Sequence, residues 1–325
     1  MHSAKSIQEK LGAFPRAGIS VTPTPIYRLP RLSSHLGCNI YIMREDLTGF
    51  AIGGNKNRKL DYLVGDALQK NADTLITTKA SSFSRNAAAA GKVFGFEVHV
   101  ILPGDESEQN TNSQALFNQF ETVLYYAPKD PPEAITTEYD RIIGDLRNQG
   151  KIVYELHPGG SDSIGSLGYI NAFDQIIQYS RNSGVRFNRI IHSTGSTATQ
   201  VGLLLGQCIS GYDTTIIGMA ASQKADVQYE RIRQLALDTA KLLEIQFDDS
   251  RIVVDDRFIG PGYAIKSDEG EKATSLFAFL EGILLDSVYT GKAAAGLIHY
   301  AMNRIFSEDE NVLFIHTGGN SGLFY

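Results

Sequence analysis

The chain has 325 residues, of which 42% are hydrophobic and 20% charged, with 31 glycines; it is long enough for about two domains and unlike disordered, collagen-like or disulfide-scaffold sequences. Thirty Lys and Arg against 36 Asp and Glu give a net charge of -6, the wrong sign for gripping phosphate backbones, so no nucleic-acid partner is expected. Only two cysteines occur, Cys38 and Cys208, with no metal or disulfide spacing, and neither a membrane-length apolar stretch nor an apolar signal core at the polar start is found, so a cytoplasmic protein without a membrane partner is expected.

In chain order, the first predicted strand is 39–43, followed by a helix at 59–70 that places Leu60, Leu63, Ala67 and Leu68 on one face. The alternation then continues as strand 74–77, helix 84–94, strand 98–102, helix 114–120, strand 122–126, helix 132–149 and strand 152–156. Helix 164–180, strand 189–192, helix 199–210, strand 215–219, three helices at 227–243, 270–281 and 292–306, and strand 312–315 complete the pattern. Strands separated by helices predict an α/β protein with parallel sheets covered on both faces. Loops rich in Gly, Ser and Thr at 78–84, 158–166, 193–199 and 316–322 fall mostly where a strand ends and a helix starts, the edge at which open α/β sheets bind ligands.

A Walker A loop, a GxGxxG fingerprint, an HExxH zinc helix and a GxSxG elbow are all missing from the sequence. The run Ser193-Thr194-Gly195-Ser196-Thr197-Ala198-Thr199 follows a strand and leads into an apolar helix. Successive backbone N–H groups at such a helix start make an anion cradle, for which a phosphate is the natural guest; the hydroxyls could equally cap the helix. No histidine has a partner at metal-binding spacing, and no metal is expected, while His157 and His316 fall on loops facing the ligand edge.

Residues 51–63, which carry Gly53-Gly54-Asn55-Lys56, strongly resemble the lysine motif of the 1-aminocyclopropane-1-carboxylate deaminase and D-cysteine desulfhydrase family of pyridoxal phosphate enzymes, within the tryptophan-synthase-β-like group. Matching segments follow in order over essentially the whole chain: 14–16, 22–25, 44–49, 158–160 with 165–169, 193–199, 260–263, 286–292 and 316–322. The resemblance implies a two-domain fold type II architecture, with a small α/β domain at 60–160, a large cofactor-binding domain at 1–59 and 161–325, and a homodimer. It implies pyridoxal 5'-phosphate as cofactor, a small amino acid as substrate, and lyase chemistry that expels a β-substituent to give a keto acid and ammonia. Lys56 would form the Schiff base with the cofactor, beside Asn55; a lysine such as Lys59, three residues on, reads as an ordinary surface residue. Gly195, Ser196, Thr197, Ala198 and Thr199 would hold the phosphate, Thr317 or Thr290 the pyridine nitrogen, and Tyr289 and Tyr263 would face the reacting side. A phenol in such a place needs a neighbouring positive field to act below its ordinary pKa of about 10.

The chain departs from the family where Ser-Asn followed by His or Gln is usual, having Ser81, Ser82 and Phe83 instead. Ser81 keeps a hydroxyl for the substrate, Ser82 stands for the asparagine that contacts cofactor or substrate, and Phe83 and Gly160 complete the expected substrate side. Helix capping accounts equally well for Ser82 and Ser84. These changes predict that aminocyclopropane carboxylate is at best a poor substrate, and they keep β-replacement on a specialised amino acid, or a fold retained for cofactor binding alone, as alternatives.

Overall fold

The computed structural model describes residues 6–131 and 133–319. Pro132, the start of one expected helix, residues 320–322 of the last loop and residues 1–5 lie outside the described residues. Ten strands are described: β1 (Ile26–Arg28), β2 (Asn39–Arg44), β3 (Thr74–Thr78), β4 (Glu97–Pro103), β5 (Val123–Ala127), β6 (Val153–Glu155), β7 (Arg189–Thr194), β8 (Thr215–Ala220), β9 (Val253–Asp255) and β10 (Asn311–His316). The α-helices are α1 (Ile7–Leu11), α2 (Pro30–Leu36), α3 (Lys56–Gln69), α4 (Ser82–Phe94), α5 (Thr111–Gln119), α6 (Ala134–Asn148), α7 (Ser163–Ser183), α8 (Ala198–Ser210), α9 (Ala225–Leu242), α10 (Asp268–Glu281) and α11 (Thr290–Met302).

The strands form two sheets, a six-stranded one in the order β1-β2-β10-β7-β8-β9 and a four-stranded one in the order β5-β4-β3-β6. Every pairing is parallel except that of β1 with β2. The protein is therefore an α/β molecule with a parallel sheet in each of two domains. The central strands are buried on both faces and read as continuous apolar runs rather than alternating ones. Along β10, Leu313 and Ile315 enter one core while Val312 and Phe314 enter the core on the opposite face, and Ile190 and Ile191 of β7 divide in the same way. In the small sheet Leu75 and Ile76 point to separate cores.

Four elements escape the sequence pattern. β1 and β9 have three residues each, too short to show alternation, while α1 has five and α2 seven. Several helices start two or three residues earlier than expected, among them α3 at Lys56, α5 at Thr111 and α11 at Thr290, because polar residues form their first turns. No described helix is long and apolar enough to cross a membrane.

α3 joins the two domains. Its Leu60, Leu63, Val64 and Ala67 pack into the core of the small sheet, while its other side lies against α7 so closely that a Cβ on Gly168 would stand 2.2 Å from the backbone oxygen of Arg58. Behind this contact Arg58, 2% exposed, pairs with the fully buried Glu45 at 2.5 Å. Glu45 also accepts from Thr24 Oγ1 at 2.6 Å and Tyr169 Oη at 2.9 Å, and the guanidinium gives a further bond to Gln175 at 2.8 Å. A buried pair so fully hydrogen-bonded offsets its desolvation and fixes how α3 sits.

Replacing Gly168 by Ala should lower the urea midpoint by an amount equivalent to about 1–3 kcal/mol, since backbone rather than a flexible side chain must yield. A midpoint equal to that of the parent protein would show that α3 and α7 can separate freely.

Candidate active site

A cavity of about 410 Å³ lies between the sheets, in the range of small-molecule sites. Its walls come from the loops that leave the carboxyl ends of strands in both sheets: Thr78 to Phe83 after β3, Pro158 and Gly159 after β6, Gly195 and Ser196 after β7, Ser222 and Gln223 after β8, and Thr317 and Gly319 after β10. In the small sheet β4 and β6 flank β3 on opposite sides, so the crevice opens at the reversal of strand order where open sheets bind ligands.

Lys56 is the first residue of α3 and lies on the cavity wall. The turn before it requires glycine: Gly53 has φ +68°, and a Cβ there would stand 2.5 Å from the backbone oxygen of Asp46. Asn55 holds the turn to the large domain through its N–H to Thr317 O at 2.9 Å and its amide to Thr199 Oγ1 at 3.0 Å. Asn86 of α4 holds it to the small domain through Gly53 O at 3.1 Å and Asn57 Oδ1 at 2.7 Å. Lys56 Nζ donates to Ser196 Oγ at 2.9 Å. Burial withdraws this ammonium from water and brings its pKa down to about 8, against a smaller upward pull from the hydrogen bond with Lys59.

Lys59 is not on the surface. It is fully buried, and its Nζ donates to Gly159 O and to the same Ser196 Oγ, each at 3.1 Å. Burial, then repulsion from Lys56, push its pKa well below the ordinary lysine value. The i, i+3 spacing puts both amines on one face of α3, a signal the sequence carried.

Ser196 precedes α8, whose N-terminus has no side-chain cap. Gly195 and Ser196 line the cavity, whereas Thr197, Ala198 and Thr199 are buried behind them, Thr199 with its hydroxyl engaged by Asn55. Across the cavity the Tyr289 hydroxyl lies 2.6 Å from that of Tyr263. Burial first, and the neighbouring Tyr263 next, raise the pKa of Tyr289, so its phenol is held neutral, as a proton donor; the expected lowering by a positive field is not what this surrounding provides.

The structure separates other expected members. Thr290 is fully buried, its hydroxyl donating to Asp286 Oδ1 at 2.6 Å and accepting the Asp286 N–H at 2.9 Å, and it does not line the cavity; Thr317 does. Asp286 also accepts the N–H groups of Val288, Tyr289 and Thr290, so this pair caps α11 and fixes Tyr289 in place. Ser81 and Ser82 line the cavity, but the Ser81 hydroxyl accepts the Ser84 N–H at 3.2 Å in a capping box for α4. Phe83 belongs to the small-sheet core and touches the cavity wall. Gly160 is buried against Phe83 and Lys59 rather than lining the cavity, and neither His157 nor His316 lines it. Arg231, Lys79 and Gln223 do line it; the sequence reading assigned none of them a role, although Lys79 falls in the expected ligand-edge loop 78–84.

A family model described as "Pyridoxal-phosphate dependent enzyme" matches residues 19–318. The chain belongs to this pyridoxal-phosphate-dependent enzyme family. It is 37% identical over 329 aligned residues to a D-cysteine desulfhydrase of Serratia proteamaculans, covering 98% of each protein. Among solved structures it superposes on an ACC deaminase homologue with a TM-score of 0.89 at 35% identity, over all of this chain and 97% of the other. Its fold is also that of O-ureido-L-serine synthase, with a TM-score of 0.67 at 17% identity over 95% of this chain and 90% of the other. The cofactor of this pyridoxal-phosphate-dependent enzyme is pyridoxal 5'-phosphate, and the cavity suits it. Ser193 Oγ on the wall is buried without a hydrogen-bond partner, and the uncapped start of α8 lies behind Gly195 and Ser196, an arrangement that asks for an acceptor such as a phosphate.

The lowered lysine pKa has a direct consequence. Covalent uptake of pyridoxal phosphate by the cofactor-free protein needs neutral Lys56, so its rate should rise through pH about 8 and then level off. Below that pH the folded protein bears the full cost of the buried ammonium, and the cost fades as pH rises toward 10.5, the ordinary lysine value. A rate that climbs only near pH 10 would show that Lys56 is solvated like a surface lysine.

Proposed function

We propose that the protein is a lyase that expels a β-substituent from a small amino acid, giving a keto acid and ammonia in the manner of a D-cysteine desulfhydrase. The observation that carries this reading is the pairing of an amine that is neutral near pH 8, Lys56, with a neutral phenol, Tyr289, on the walls of one cavity. Bound pyridoxal phosphate supplies an electron sink for charge developing at the substrate Cα. Lys56 Nζ then serves as the base that takes the Cα proton. The phenol of Tyr289 gives a proton to the departing group, and Tyr263, 57% exposed and hydrogen-bonded to it, restores that proton from solvent.

The N–H groups at the start of α8, with Ser196 and Lys59 beside them, hold the phosphate. Thr317 serves the ring nitrogen, since Thr290 is committed to Asp286. A neutral hydroxyl there leaves that nitrogen less protonated than a carboxylate would, which favours elimination over transamination. Ser81 and Ser82 take the substrate side. The same reading gives a cytoplasmic homodimer, with residues 60–160 as the smaller domain and 1–59 with 161–325 as the larger.

Borohydride treatment of the purified protein should fix the cofactor to Lys56, as read by peptide mass spectrometry, and Lys56→Ala should abolish that adduct. D-Cysteine or β-chloro-D-alanine should yield pyruvate and ammonia. Tyr289→Phe should lower kcat by about a hundredfold while the cofactor stays bound, the mark of a proton donated mainly in the transition state. Full activity in Tyr289→Phe would remove that phenol as the proton donor, and a new amino acid formed only with a second nucleophile would replace elimination by β-replacement.

A further inference from the structure

We infer that the amino acid this site is built for carries a negative charge on its side chain or leaving group, held between Lys79 and Arg231. This rests on the lyase reading and adds the substrate class to it. Among the described residues lining the cavity there are three cations, Lys56, Lys79 and Arg231, and no Asp or Glu. Lys56 is taken by the chemistry. The start of α8 with Lys59 answers the phosphate, and the hydroxyls of Thr78, Ser81 and Ser82 line the side assigned to the substrate. Two positive side chains are left without an anion.

Among the described residues no carboxylate pairs with either. The one hydrogen bond of Arg231 among the described residues goes to the neutral amide oxygen Gln228 Oε1, at 3.4 Å. Among the described residues Lys79 is engaged through its backbone alone, its N–H donating to Ile101 O at 2.8 Å and its carbonyl accepting from Ser84 Oγ at 2.7 Å. Its φ is +70°, a left-handed conformation that glycine adopts freely and a lysine does not. A long cationic residue kept in a strained backbone position on a ligand cavity points to a use for its charge. Lys79 follows β3 of the small sheet and Arg231 lies on α9 of the large domain, so the two come from opposite domains. Carboxylate, sulfonate and phosphate share the chemistry that would recognise these two cations.

The test compares kcat/KM for matched β-substituted alanines in both enantiomers: O-acetylserine as the neutral member, O-succinylserine and O-phosphoserine as carboxylate and phosphate members. An anionic substrate should exceed the neutral one about tenfold or more, the scale of a charge-assisted hydrogen bond. Lys79→Gly removes the charge while easing the backbone, and with Arg231→Ala it should erase that preference through KM rather than kcat; Lys79→Arg should retain it. Equal efficiency for neutral and anionic members, or a preference that survives both substitutions, would overturn the inference. If no member yields a keto acid, the lyase reading falls by itself. Calorimetric affinity of the holoenzyme for glutamate against glutamine then decides separately: tighter glutamate binding that Lys79→Gly weakens supports the inference, and equal affinities overturn it.

Discussion

The buried Arg58–Glu45 pair sets the position of the helix on which the site depends. α3 has its first residues in the cavity and its apolar face in the small domain, and only the opposite side is free to bond to the large one. There the guanidinium meets Glu45, which follows β2, together with Thr24 and Gln175, while the Tyr169 hydroxyl closes on the same carboxylate. Both carboxylate oxygens of Glu45 and the Nε and Nη2 groups of Arg58 are answered within the protein, a condition under which a buried charge pair rigidifies rather than weakens a fold. Lys56 precedes Arg58 by two residues and Lys59 follows it by one, so the network that faces away from the cavity aims Lys56 into it and sets Lys59 against its wall at Gly159 and Ser196.

The electrostatics of the cavity follow from where α3 and α8 begin. Two lysines and an uncapped helix start converge on Ser196, all of them electropositive, and among the described residues no carboxylate lines the wall to neutralise them. Such a concentration costs the protein free energy until an anion arrives, while burial of the Lys56 amine brings its pKa down to about 8. The phosphate that this arrangement attracts is thus also what relieves it.

The parallel architecture was legible because its central strands are β-branched runs set between long amphipathic helices; the three-residue β1 and β9 gave no period to detect. In the site, Lys56, Gly195, Ser196, Thr317 and the two tyrosines were legible as motif residues, and they do line one cavity. Lys59 was misread because a lysine in an amphipathic helix is ordinarily solvated, and only the fold shows that its neighbours are Gly159 and Ser196. Thr290 misled for the opposite reason: it lies beside a site tyrosine in sequence, but the first turn of a helix points consecutive residues in different directions. Arg231 and Lys79 could not be assigned by pattern, since what marks them is that no carboxylate among the described residues pairs with them, and such partners are known only in three dimensions.

The two walls of the cavity differ in how they are built. The cofactor side is held by bonds between distant segments, such as Asn55 with Thr199 and Thr317, so a change in any of those residues disturbs the others. The wall after β3 is held locally, by the reciprocal bonds of Ser81 and Ser84 and by the hydroxyl of Ser84 on the carbonyl of Lys79. Because these contacts use the backbone and two serines, the side chains at 79 and 82 carry no structural duty, and Phe83 is retained by the small-sheet core. The segment can therefore alter what the substrate meets without loosening Lys56 or the phosphate cradle. The departures from the family pattern at Ser82 and Phe83 fall on that wall.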